Sequence, residues 1–331
     1  MEKKNRSAIL FAFAALYLIW GSTYLGIALA IQSIPPFLMA GTRFFLAGVI
    51  MYFLARLRGS ARPQTMTWRS AAIIGGCLLL CGNGGVTISE KWVPTGLASL
   101  IVATVPIDIA LLGWITGLAP RPTPLVWLGL TGGFIGVALL IGPALATSSP
   151  SKSNHFVLGM LILLLGSFIW SAGSLYSLKA KSSPSLFLAA GQQMICGGGL
   201  LFFLGLSLGE TRHFNPQNLS VISINAFVYL VLVGALIGYT AYFWLLRHCE
   251  PARVATYAYV NPVVAVVLGV FFHDEHLSMR TIMGAALIIG SVALVIAAQQ
   301  FQGQSVTGAD AQSLFCESDE ARIANHQTIS K

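Results

Sequence analysis

The sequence predicts an all-α polytopic membrane protein: ten transmembrane helices built as two inverted five-helix repeats, with both termini cytoplasmic. Three observations carry this prediction. Of 331 residues, 56% are hydrophobic and only 9% charged, and the mean hydropathy is +0.77. A soluble domain carries about a quarter charged residues, so this chain cannot cover a water-facing surface. Apolar runs of about 20 residues, enough to cross a bilayer, recur along its length. Segments of the first half also reappear in the second. Nothing alternates in the ~10-residue pattern of barrel strands, which leaves helices.

The predicted spans are 8–30, 37–55, 70–89, 96–117, 125–142, 156–178, 185–207, 222–246, 253–272 and 281–298. Turn signals separate them, among them Pro35-Pro36, Pro120-Arg121-Pro122, Pro150 and Pro184. The first span is too long for a cleavable leader and lacks a clear small-residue cleavage site. Residues 1–142 form the first repeat and 143–298 the second. Residues 299–331 form a polar, acidic cytoplasmic tail with the composition of a disordered segment.

The formal charge of +8 does not point to nucleic acid, because its distribution follows the membrane. With the N-terminus inside, the inner side collects Lys3, Lys4, Arg6, Arg56, Arg58, Arg62, Arg69, Arg121, Lys179, Lys181, Arg247 and Arg253. The outer loops hold Lys91, Lys152, Arg212 and Arg280. This is the positive-inside bias. The cysteines form no disulfide framework and read as small buried residues.

The repeat is visible by eye. Shifted by 150 residues, "IWGSTYL" at 19–25 falls on "IWSAGSL" at 169–175, and "FLMAGTRFFLAG" at 37–48 on "FLAAGQQMICGG" at 187–198. Trp20 meets Trp170, Gly41 meets Gly191, and Arg43 meets Gln193. Later the offset becomes 156, which places Pro106 on Pro262 and Asp108 on Val264. Five spans per half is an odd number, so the halves lie upside down relative to each other. Inverted repeats around a midplane site are a mark of secondary transporters.

The stretches "IWGSTYLGI" at 19–27, "GTRFFLAG" at 41–48, "NGGVTISEKWVPTGLASLIVATVPI" at 83–107 and "ARVATYAYVNPVVAVVLGVFFHDEHLS" at 252–278 resemble the EamA-type family of the drug/metabolite transporter superfamily. The resemblance covers about residues 8–298. It implies ten spans, the bacterial inner (plasma) membrane, and export or exchange of small metabolites. It does not supply a substrate. The sequence departs from the family pattern at Asp274, where a glycine usually precedes the glutamate, and at Asp108, where an apolar or aromatic residue is expected.

Several helix faces are candidates for a solute site. Tyr17, Trp20 and Tyr24 share one face of the first span, and Ser167, Trp170, Ser174 and Ser177 share the matching face of the sixth. These faces fit a cavity lining, and equally helix packing. Asn83, Thr87 and Glu90 form a polar stripe toward the outer end of span three. Their counterparts in span eight are Tyr239 and Phe243, with Tyr242 alongside. Glu90, next to Lys91, can also be solvated. An unpaired amide at the depth of Asn83 is costly, so it must face protein or a water-filled cavity. Pro106 and Pro262 predict kinks at corresponding places, with freed carbonyls at Val102 and Ala258. Tyr257 and Asn261 lie on the face beside Pro262.

Arg43 and Asp108 are isolated charges within spans. An intramembrane charge costs about 2.5–3.5 kcal/mol on insertion scales, so opposite charges invite pairing. Counted by helical rise, Arg43 lies roughly 10 Å and Asp108 roughly 17 Å below the outer face. Glu90 is the rival partner for Arg43. Asp108 is thus either a proton carrier or half of an ion pair. The "HDEH" run at 273–276 lacks zinc-protease spacing and reads as a solvated outer loop, so no metal and no cofactor are expected.

These readings predict a secondary transporter for small organic solutes, amino-acid-like or drug-like, working by alternating access and coupled to an ion or solute gradient. No phosphate-binding loop that would imply ATP is present in the sequence. A non-transporting receptor is the second reading. A membrane enzyme is the third and the poorest fit, because Asp108 has no second intramembrane carboxylate. The expected partners are a small-molecule solute and the lipid bilayer.

Overall fold

The computed structural model describes residues 2–118, 121–146, 150–249, 254, 257–273, 278–280, 282–291, 293–294 and 297–298. The tail and residues 274–277, which include most of the "HDEH" run, lie outside the described residues. All regular structure among the described residues is helical. This follows from the solvent, since a spanning segment must satisfy its own backbone groups in lipid.

The principal helices are α1 (Glu2–Ala30), α2 (Pro36–Leu57), α3 (Thr65–Ser89), α4 (Thr95–Ile115), α5 (Pro124–Ala146), α6 (Pro150–Lys179), α7 (Leu186–Ser207), α8 (Val221–Leu246), α9 (Tyr257–His273) and α10 (Ile282–Ser291). Among the described residues, seven of them, α1 to α4 and α6 to α8, are long and apolar enough to cross a membrane by length and composition. Large apolar side chains such as Phe11, Phe53, Leu128, Phe203 and Phe271 point outward, as suits a lipid environment.

Two departures from regular helix were not expected from the sequence. Helices α3 and α8 each contain a π-helical segment, Gly76–Asn83 and Leu230–Ile237. They occupy corresponding positions in the two halves. Helix α4 is interrupted at Ala103-Thr104, between Thr95–Val102 and Val105–Ile115. Pro106 therefore sits in the first turn of the second segment rather than in a helix interior. There its missing N–H is not needed and its fixed φ suits the helix start. Pro262 does lie inside its helix.

The centre of the bundle is the crossing of α2 and α7. Backbones touch because the contacts are glycines. A Cβ added to Gly48 would lie 2.7 Å from the Ile195 nitrogen, and one added to Gly191 would lie 2.8 Å from the Tyr52 nitrogen. Gly41 meets the Phe202 backbone and Gly198 the Phe45 backbone in the same way. Low numbers on α2 face high numbers on α7, so these two sequence-related helices run antiparallel. The start of α2 is tied down by Glu210, whose carboxylate accepts from the Phe37 and Leu38 nitrogens at 3.2 and 2.9 Å. A negative charge on free helix N–H groups is favourable. The buried core around this crossing includes Leu16, Trp20, Phe44, Met51, Leu79, Met194 and Tyr239.

Candidate functional site

A cavity lies between α1, α2, α3, α4, α6, α8 and α9. Six aromatic side chains, Trp20, Tyr24, Phe44, Trp170, Tyr239 and Tyr257, are among its walls. Trp20 and Trp170, the paired tryptophans of the two halves, meet edge to face with centroids 6.0 Å apart. Tyr239 lies 5.3 Å and Tyr257 5.1 Å from Trp20, and Phe44 meets Tyr239 edge to face at 5.6 Å. Such geometry is favourable beyond the area it buries. It also holds the rings in fixed orientations.

The tryptophans reach the centre because glycines make room. A Cβ on Gly238 would stand 2.6 Å from the Trp20 indole nitrogen, and one on Gly82 would stand 2.6 Å from Trp170 Cε3. Each tryptophan thus rests on a glycine of the other half, at the end of a π-helical segment. The break in α4 also reaches the cavity, since Val102 and Val105 line it from either side.

Arg43 is the cation of the site. It is 3% exposed. Its Nη2 donates to Asn83 Oδ1 at 2.6 Å, and its guanidinium carbon lies 4.2 Å from the centroid of the Phe44 ring. Both carboxylate oxygens of Glu90 are buried, and Glu90 interacts electrostatically with Arg43 and with Tyr24. Glu90 therefore turns inward. Arg43 and Asp108 form no ion pair. Asp108 is partly buried and is absent from the cavity wall.

Three buried polar atoms on cavity-lining residues have no hydrogen-bond partner among the described residues: Arg43 Nε, Ser167 Oγ and the Tyr239 hydroxyl. Leaving such an atom unsatisfied costs about 1–3 kcal/mol, more when it is charged. All three belong to residues of the chamber wall, which thus carries one charged donor and two hydroxyls beside its aromatic rings.

The other candidate residues distribute as follows. Trp20, Tyr24, Asn83, Trp170, Tyr239, Tyr257 and Asn261 line the cavity. Thr87 is buried behind Asn83 and donates to its carbonyl at 2.8 Å. Ser174 donates to the Trp170 carbonyl at 2.8 Å and, with Tyr242, borders a smaller adjoining space that Tyr257 also lines. Tyr17 does not line the cavity, and its ring meets Phe13 with centroids 5.7 Å apart. With its amide oriented to fit its surroundings, Asn261 donates to the Tyr17 and Tyr257 carbonyls at 3.1 and 3.2 Å. Phe44, Thr23, Val105 and Leu163 also line the chamber. They carry no signal in the sequence, where they look like any other residue of an apolar span. Ser167 was signalled by its place one turn from Trp170.

Comparison with known proteins agrees with this architecture. The EamA-like transporter family model matches residues 6–142 and again 157–297. The uncharacterized inner membrane transporter YedA of Escherichia coli (strain K12) is 35% identical over 285 residues, covering 86% of this chain and 89% of that protein. The uncharacterized transporter YvbV of Bacillus subtilis (strain 168) is 26% identical, covering 92% and 96%. A probable amino-acid metabolite efflux pump of Escherichia coli (strain K12) is 25% identical, covering 82% and 89%. Among solved structures, one crystal structure aligns with a TM-score of 0.60 at 22% identity, over 89% of this chain and 98% of that one, a likeness of fold alone. With both halves matched by the same model, the chain belongs to the EamA-like transporter family.

Proposed function

We propose that this protein exports or exchanges small organic solutes, amino-acid-like or drug-like, across the bacterial inner membrane by alternating access. Its family is one of transporters, not enzymes. The observation that carries the solute reading is the set of unsatisfied polar atoms on cavity-lining residues, Arg43 Nε foremost. A guanidinium with a free Nε is suited to a carboxylate or similar acceptor, and the tryptophan and tyrosine rings are suited to an apolar body. The relative named as an amino-acid metabolite efflux pump supports the same class.

Alternating access fits the layout of the molecule. Ten spans in two inverted halves are supported by the antiparallel α2–α7 crossing, by π-helical segments at corresponding positions, and by the reciprocal tryptophan–glycine contacts. The halves would rock about this crossing, with the cavity as the fixed site. Cytoplasmic termini follow from the basic residues at one end.

Proton coupling is the remaining part of the reading. Neither Glu90 nor Asp108 is on the cavity wall; Glu90, whose carboxylate oxygens are buried and which acts on Arg43, is the better placed of the two. The test is uptake of labelled amino acids and amphipathic drugs into proteoliposomes, with and without a pH gradient. Flux abolished by Arg43→Gln in a well-folded protein supports the reading. Solute binding without flux would favour the receptor reading, and undiminished flux in Arg43→Gln would rule out the proposed anchor. A gradient response that persists in Asp108→Asn but disappears in Glu90→Gln would assign the coupling acid.

A further inference from the structure

A second space, separate from the central cavity, opens on the side of the bundle between α1, α2, α7 and α8. It is an open groove and shares no lining residue with the central cavity. Phe11, Ala12, Leu54, Phe187, Ile237 and Trp244 set its character, and Thr240 supplies its only polar side chain. It lies at the end of the bundle where α1 begins and α2 ends, which is the arginine-rich end. Its walls lie within the apolar helices, so its occupant must be apolar over most of its length.

The mouth of this groove carries a cation. Arg58 lies one turn beyond Leu54 and is exposed. Its guanidinium carbon lies 5.4 Å from the centroid of Phe187, a wall of the groove. Cation–π contact of this kind holds a guanidinium over a ring while leaving its N–H groups available. Arg56 differs, since its Nη1 donates to the Ser60 carbonyl. No acidic residue lies between Glu2 and Glu90 in the sequence, so this segment supplies no local counter-charge for its arginines. A guanidinium matches a phosphate in charge and in its planar fork of donors.

We propose that this groove is a binding site for an anionic phospholipid, with an acyl chain between α1 and α8 and the phosphate on Arg58. The groove supplies the apolar complement and Arg58 the charged one. Trp244, stacked on His248 with centroids 4.3 Å apart, stands on the groove wall as an interfacial aromatic, a residue type found at headgroup level.

Native mass spectrometry of the purified full-length protein tests this with phosphatidylglycerol and phosphatidylethanolamine of matched acyl chains. The wild type is expected to retain phosphatidylglycerol about tenfold more strongly, the effect of one charge-assisted contact. Arg58→Gln is expected to lose that preference while keeping the residual binding common to both lipids. A series of phosphatidylglycerols of decreasing chain length is expected to bind progressively more weakly. Equal retention of the two lipids by the wild type, or an unchanged preference in Arg58→Gln, would overturn the proposal. So would competition by soluble glycerol 3-phosphate as effective as that by the lipid, because the groove would then play no part. Arg58 is exposed, so its variant is expected to fold, and the chain-length series needs no variant at all.

Discussion

Arg43 illustrates what an intramembrane charge requires of its surroundings. Its guanidinium has an amide oxygen on one nitrogen, an aromatic face beneath it and a buried carboxylate acting on it. Lysine would keep the charge but lose the planar fork. Arg43→Lys is therefore expected to fold and yet lower uptake by about tenfold, the loss of one charge-assisted hydrogen bond. Asn83→Ala should lower it less, and proteoliposome flux measures both. Asp108→Asn is expected to leave the initial rate within about twofold, since a group off the cavity wall contributes little to binding. The sequence singled out Arg43, Asn83 and Asp108 equally well, because polar atoms stand out in apolar spans. It did not reveal which acid lies near Arg43. That depends on how α2 and α3 are rotated, and a residue beside Lys91 at a span end looks solvated. Phe44 and Leu163 were invisible for the opposite reason, being apolar among apolar residues.

At the scale of elements, the π-helical segments shape the chamber more than any feature read from side-chain pattern. "GCLLLCGN" and "LVLVGALI" are as apolar as their neighbours, and nothing in their composition distinguishes a π turn from an α turn. Gly82, in the last turn of the first segment, and Gly238, just after the second, seat the two tryptophans. Gly238→Ala should displace Trp20, and Gly82→Ala should displace Trp170. Each is expected to destabilise the protein by about 1–3 kcal/mol, the usual consequence of overpacking, and to raise the apparent KM. Thermal unfolding in detergent and concentration-dependent uptake separate the two effects. Pro106 was legible as an irregularity, but its role as a helix start depended on the turn at Ala103-Thr104. The cap on α2 was not legible, since Glu210 lies far away in sequence. Glu210→Ala is expected to lower stability by about 1 kcal/mol without changing KM.

For the whole molecule, composition alone established the membrane class, because no arrangement of so few charges could solvate a globule of this size. The two halves were legible because equivalent helices carry the same glycines, tryptophans and prolines at an offset of 150 residues that later becomes 156. The topology reading makes a direct prediction. A fluorescent reporter that matures only in the cytoplasm should be active when fused at the C-terminus, and a phosphatase that needs the periplasm should be inactive there.

The α2–α7 crossing has a further consequence. Gly41 meets Phe202 and Gly191 meets Tyr52, while Gly48 meets Ile195 and Gly198 meets Phe45. Residues 150 positions apart exchange places, so the contact is isologous, the form an interface takes between two copies of one chain about a dyad. Here that interface is held within a single polypeptide. Gly41→Leu and Gly191→Leu are thus perturbations related by that dyad, and their effects on thermal stability are expected to match. Any difference between them in transport would measure how far the two halves differ in role.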